Sequence, residues 1–238
     1  MTPRDASRRR LIDAMGLGPL WVRRSAGPAA RDDTATDEPR AVRIAKLDWD
    51  PLRDDIAGCV ACGLSRSRRQ TVFGVGARAP DWLIVGEAPG ADEDAQGEPF
   101  VGQAGKLLDA MLAAVGLSRG RNVFIANVLK CRPPGNRDPS TDEVASCRVY
   151  LERQIELLAP RMILVVGKVA SGALLGTDLP MSRLRGQRHT LVVAGRAIPL
   201  VATYHPAYLL RSGEEKAKAW ADLCFAREVF EQIEATSA

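Results

Sequence analysis

Cys59-Val-Ala-Cys62 is the first place in this sequence where residue types and spacing allow chemistry, because two cysteines two residues apart can turn both sulfurs onto one metal centre. Cys131 and Cys147 add two thiols separated by fifteen residues. A zinc ribbon wants two close pairs, whereas four-cysteine iron–sulfur sites accept one pair with two distant ligands; unrelated thiols are the third reading. Cys224 lies in a helix-like run and reads as a buried apolar residue. An odd cysteine count in a chain of 238 residues does not suggest a disulfide framework.

Three more segments gather groups that accept, donate or move protons: Gly86 to Gly90, Asn127 to Arg137 and Tyr204 to Arg211. They carry Glu87, with Glu93 just beyond, then Asn127 and Asn136, then His205, one of two histidines in the chain. Each has an ordinary structural use as well. Asn127 fits a turn after a strand, His205 a loop imidazole bonded to backbone, and nearby Phe100 a core residue between Pro99 and Val101.

The elements that must position these groups follow from hydrophobic pattern. Trp82 to Val85, Val123 to Ala126 and Met162 to Val166 are short apolar runs that read as buried strands. Leu191 to Ala194 with Ile198 to Ala202 supply a fourth strand, with a hairpin near Gly195. Helices are predicted over Gly102 to Val115, from Ser140 to about Leu158, over Lys168 to Leu175 and over Glu214 to Ile233. Ser140 and Glu143 form a capping box at the start of the second. Alternation of this kind predicts a three-layer α/β/α domain around a central, mainly parallel four-stranded sheet. Ligands of such sheets bind at the carboxyl ends of the strands, which is where all three chemical segments fall.

Residues 1–45 read as a flexible arm and linker and 46–238 as the functional domain. Within the arm, Arg8 to Arg24 has a short amphipathic pattern and Ser25 to Arg40 has none. No run reaches the ~18 apolar residues of a membrane helix. The Ser-Arg-Arg-Arg near the start is followed by Asp13 and no small-residue cleavage site, so a cytoplasmic protein with no membrane contact is expected.

The net charge of +4 says little by itself, but three windows hold no acid: Cys59 to Pro80, Ser118 to Arg137 and Leu179 to Gly213. Their basic residues would make a polyanion-binding face if the windows meet, with the acids of Asp81 to Asp109 set into it. Solvated loops in an Arg-rich protein are the other reading.

The run GEAPGADEDAQGEPFVGQAGKLLDAML from Gly86, together with NVLKCRPPGNRDP, HPAYLLR and the four cysteines, resembles family 4 uracil-DNA glycosylases. The resemblance covers Cys59 to Arg211 and continues less specifically to the C-terminus. It implies that family's α/β/α fold, a 4Fe-4S cluster on Cys59, Cys62, Cys131 and Cys147, and hydrolytic release of uracil from DNA without strand cleavage, as in base excision repair. The implied partner is uracil-containing DNA, single- or double-stranded, with no obligate protein partner.

Breaking the bond between C1′ and N1 leaves positive charge on the sugar and negative charge on the base, so the site needs an anion near the sugar and a donor near uracil O2. Glu87, Glu93 and His205 can supply them, with Asn136 matching a position that helps hold water. Where better-known relatives have an Asp this chain has Ala88, a wall of the base site, which leaves water orientation open between Glu87 and Glu93. Glu93 also matches a position that excludes the thymine methyl. Asn127 matches the base-reading asparagine and Phe100 the stacking aromatic. Tyr208, Leu209 and Leu210 offer bulk for the gap left by an extruded base, and Arg211 a phosphate contact. Asp92 and Asp94 read as solvated loop acids.

Three alternatives predict different behaviour. A noncatalytic iron–sulfur DNA-binding module would bind without regard to uracil and release no base. A relative that captures uracil-DNA would carry a histidine-bearing insertion after the second strand, and residues 127–140 contain no histidine. A zinc protein would lack the brown colour of an iron–sulfur centre.

Overall fold

The computed structural model describes residues 14, 15 and 38–237. The amphipathic pattern of Arg8 to Arg24 and the linker from Ser25 therefore lie almost wholly outside the described residues. Residues 39–238 make one compact unit. Its first helix, α1 (Arg40–Ala45), buries Ile44 completely, so the packed domain starts about six residues before the boundary expected at 46. A single turn of helix with one apolar anchor is too short to leave a periodic pattern in the sequence.

After α2 (Trp49–Gly58) come β1 (Val75–Gly76), β2 (Trp82–Gly86), α3 (Ala91–Gln96), α4 (Gln103–Ala114), β3 (Val123–Asn127) and α5 (Thr141–Leu158). The second half runs β4 (Met162–Val166), α6 (Lys168–Leu175), α7 (Met181–Leu184), β5 (Arg188–Val193), β6 (Arg196–Thr203), α8 (Pro206–Arg211) and α9 (Lys216–Ser237). The sheet order is β1-β3-β2-β4-β6-β5. The inner four strands are parallel, while β1 and β5 add antiparallel edges. The sheet thus has six strands rather than four. The hairpin near Gly195 makes two strands of the expected fourth, and β1 is only Val-Gly, which carries no period to read.

β2, β3 and β4 are buried at every position because helices cover both faces. Alternation sorts their side chains. Leu83, Val85, Phe124, Ala126, Ile163 and Val165 pack with α1, α2, α5 and α6. Trp82, Ile84, Val123, Ile125 and Leu164 pack with α4, α8 and α9. The capping box is present: Ser140 Oγ accepts from the Glu143 amide at 3.3 Å and Glu143 accepts from the Ser140 amide at 2.9 Å. Registers Gly86 with Asn127 and Val166 with Thr203 bring the carboxyl ends of β2, β3, β4 and β6 level, and the three chemical segments leave from that edge. Among the described residues no helix is long and apolar enough to cross a membrane.

Candidate active site

A cleft of about 420 Å³ opens at this edge, and Glu87, Ala88, Glu93, Phe100, Asn127, Asn136, His205, Tyr208 and Arg211 all line it. Segments far apart in sequence therefore meet as expected. Leu209 and Leu210 do not line it. Leu209 is 1 % exposed and packs with α4, because α8 turns that residue inward; it is not available to DNA. Leu210, 49 % exposed, and Tyr208, 37 % exposed, are the residues α8 offers to solvent.

Asn127 ends β3 with its side chain at the floor of the cleft, 2 % exposed, and its Oδ1 has no hydrogen-bond partner. An unpaired buried amide oxygen costs about 1–3 kcal/mol, which a ligand with an N–H in the right place would recover. Gly86 makes the space. A Cβ there would stand 2.5 Å from Asn127 Oδ1 and 2.6 Å from Phe100 Cζ.

Phe100 sits with its ring 5.5 Å from that of His205, the planes 30° apart, and its backbone at a φ of 55°. That strained conformation is held from two sides. Arg119 donates to Pro99 O at 2.7 Å and Phe100 O at 2.8 Å while paired with Asp109. Gly105 on α4 lies so close that a Cβ would come 1.8 Å from Phe100 O. Glycine inside a helical pattern was the readable signal for this approach; Arg119 had none, since its contacts span about twenty residues.

The two carboxylates differ. Glu93 accepts from the amides of Gly90 at 3.0 Å, Val101 at 3.0 Å and Gly102 at 3.3 Å, so both oxygens are committed to capping α3 and holding the Phe100 loop. Glu87 is half-buried, and burial, with the nearby charge of Asp138, pushes its carboxyl up to about 7. Asp94 departs from the solvated role: it is buried and accepts from the Arg69 amide at 2.9 Å, tying α3 to the segment after Cys62. Asp92 is exposed, as expected.

His205 caps α8, its Nδ1 accepting from the Ala207 amide at 3.1 Å. This puts the neutral ring's proton on Nε2. Burial, reinforced by the Arg211 charge and opposed by Glu93, draws its pKa down to about 4. Asn136 adopts a φ of 55° and accepts from Arg132 Nε at 2.7 Å.

Behind the cleft, Cys59, Cys62, Cys131 and Cys147 line one small cavity with Arg68, Lys130 and Tyr150. Arg68 donates to Cys131 Sγ at 3.1 Å, the Lys130 amide to Cys147 Sγ at 3.3 Å and Arg40 to Cys59 Sγ at 3.6 Å. Four sulfurs ringed by cations and N–H donors form a setting for an anionic thiolate centre. Among the described residues no three His, Cys, Asp or Glu side chains converge as ligands of a single metal ion. Ala88 packs between this cavity and the cleft. Cys224 stands apart on α9 and is half-buried rather than buried.

The basic windows meet only in part. Arg137 and Arg211 reach the cleft, but Arg68, Arg119 and Arg185 are engaged by Cys131, Asp109 and Asp222, and Arg78 pairs with Asp50 at the surface. Arg137 is itself gripped by Glu143 at 2.6 Å.

The model of the uracil DNA glycosylase superfamily matches residues 73–224. A type-4 uracil-DNA glycosylase of Archaeoglobus fulgidus is 44% identical over 165 residues, 68% of this chain and 82% of that protein. One from Pyrobaculum aerophilum is 40% identical over 181 residues, 74% of this chain and 92% of that protein. A type-5 uracil-DNA glycosylase from the same organism is 28% identical over 191 residues, 68% of this chain and 83% of that protein. With its cleft, its cysteine cavity and these relatives, the chain belongs to the type-4 branch of the uracil-DNA glycosylase superfamily.

Proposed function

We propose that this protein hydrolyses the bond between uracil and deoxyribose in DNA, releasing uracil and leaving an abasic site for base excision repair. The observation that carries the reading is the buried, unpartnered Oδ1 of Asn127 in the cleft that Phe100 and His205 also line. Uracil, turned out of the helix, gives its N3–H to Oδ1 and takes the amide N–H at O4, while Phe100 stacks on the ring. Cytosine presents an acceptor and a donor in the opposite order. As the C1′–N1 bond breaks, its electron pair leaves on uracil and is stabilised at O2 by His205 Nε2–H. Water adds its oxygen to C1′ and gives its proton to the Glu87 carboxylate. Glu93 acts as a positioning residue, its oxygens spent on three amides. Tyr208 and Leu210 occupy the gap in the DNA, Arg137 and Arg211 meet phosphate, and Asn136 stands at the rim toward water.

Cys59, Cys62, Cys131 and Cys147 hold a 4Fe-4S cluster in this reading. The all-sulfur donor set and its cationic surround support it. Bound there, the cluster supplies a cross-link joining the segment before β1, the loop after β3 and α5. Cys62→Ser is expected to lower iron content, bleach the visible absorbance and weaken DNA binding in fluorescence anisotropy; a full iron complement in the variant would remove Cys62 from the ligand set.

The deciding experiment is base release from a labelled oligonucleotide with one uracil, alongside thymine and cytosine controls, followed by alkali. Cleavage only at uracil and only after alkali is expected. Binding without release by brown protein on both single- and double-stranded substrates would make this a DNA-binding module instead. Asn127→Asp is expected to reduce the preference for uracil over cytosine by about 10- to 100-fold, equivalent to about 1–3 kcal/mol of mispaired amide. Unchanged ratios of single-turnover rates would move base reading elsewhere.

A further inference from the structure

Lys130 is 1 % exposed, one of the largest side chains wholly inside the protein, and the mechanism above does not use it. Its Nζ donates to the Asn127 carbonyl at 2.8 Å. Its side chain also walls the cysteine cavity, and its own amide donates to Cys147 Sγ. A buried ammonium whose bonded partner is a neutral carbonyl needs an anion nearby. Four thiolates around an iron–sulfur cluster carry net negative charge and answer that need. Arg40 and Arg68 reach the same sulfurs, but their other bonds run to the carbonyls of Ser146 and Ala57, away from the cleft. Lys130 instead bonds the residue that reads the base. Asn127 has no side-chain bond at Oδ1 to fix its orientation, so its backbone must do so, and Lys130 holds that carbonyl.

We infer that Lys130 is a positioning residue that ties the cysteine-held cluster to Asn127, making discrimination of uracil from cytosine depend on the cluster's charge. The inference rests on the function proposed above and adds a control to it. With the cluster in place, the ammonium is drawn to one position and the Asn127 carbonyl is fixed. Without that charge, the lysine loses its reason to stay buried, and the end of β3 loosens.

The test uses the full chain, purified with its iron under anaerobic conditions. Lys130→Met removes both charge and hydrogen bond; Lys130→Gln removes the charge and keeps an N–H donor. Three quantities are measured: iron per chain, the cluster's reduction potential followed in the visible band, and the ratio of single-turnover rates on uracil and cytosine oligonucleotides. In both variants the potential is expected to move negative, since a positive charge has left the side of a centre that gains an electron. The rate ratio is expected to fall about tenfold in Lys130→Met and less in Lys130→Gln, whose amide preserves part of the contact. A shifted potential with an unchanged ratio, or a reduced ratio with an unchanged potential, overturns the tie. A variant that folds by circular dichroism but retains no iron supports the inference if its ratio falls and overturns it if the ratio persists. Should the unaltered protein release no uracil, the proposed function fails, while the potential shift still reports whether Lys130 faces the cluster.

Discussion

Glu87→Gln is expected to lower kcat by about 10²- to 10⁴-fold and to abolish the dependence of the rate on pH near neutrality. Glu87 ionises at about 7 because burial and the charge of Asp138 disfavour its anion. A base must be ionised to take a proton, so kcat/KM rises with pH through about 7 and levels off above it. Stability runs the other way. Between the ordinary value of 4.5 and about 7 the folded protein keeps a proton that the unfolded chain has released, so folding weakens as pH rises across that window. Glutamine cannot ionise, and the variant should melt no lower than the unaltered protein at pH above about 7 while losing its turnover. The measurements are single-turnover rates and thermal melts across pH. Glu93→Gln provides the contrast: it weakens a carboxylate grip on three amides and should lower the melting temperature while leaving the pH limb in place. Retention of the limb in Glu87→Gln would give the base role to another group.

The separation of these two acids marks where the sequence stopped being legible. Spacing placed Glu87 and Glu93 at the same strand end, and both do line the cleft. What distinguishes them is which backbone amides lie in reach, and Val101 and Gly102 approach Glu93 only because Phe100 turns through a positive φ. A turn of that kind in a non-glycine residue leaves no mark in residue type. Leu209 shows the same limit from the other side. HPAYLLR presents three bulky residues in a row, and only the rotation of α8 against α4 decides that the middle one is core.

The fold was read where apolar runs were long enough to specify burial. β4 and α6 have the bounds their patterns predicted, and β2 and β3 each extend one residue further, to Gly86 and Asn127. That extra residue matters, because it places Asn127, the residue proposed to read the base, in the sheet's ladder rather than in a loop. α1, α3, α7 and α8 were not read, each being six residues or fewer and held by tertiary contacts rather than by amphipathic period, and the ten-residue α2 was not read either, since it buries only Leu52 and Ile56. α1 is the costliest omission for function. It carries Arg40 to Cys59, so one of the cations beside the sulfurs comes from a segment the sequence pattern assigned to the arm.

His205→Asn is expected to lower kcat by about 10²- to 10³-fold with little change in melting temperature. Two duties of the imidazole must be separated to test it. Nδ1 caps α8 through the Ala207 amide, and losing a cap costs about 0.5–2 kcal/mol, so an alanine variant would mix destabilisation with lost catalysis. Asparagine is itself a favourable N-cap and keeps that bond, but its side chain is too short to carry a donor to the position of Nε2. Because the ring's pKa lies near 4, the histidine is neutral throughout the working range, and no falling limb near 6.5 should appear in the pH profile of the unaltered enzyme. A neutral donor also suits the chemistry: it stabilises charge growing on uracil O2 without being paired in the ground state to Glu93, whose oxygens are already occupied. A limb near 6.5 that disappears in His205→Asn would mean that the imidazole works as a charged acid. An unchanged kcat would mean that the cap is its whole role and that uracil leaves without help from this side of the cleft.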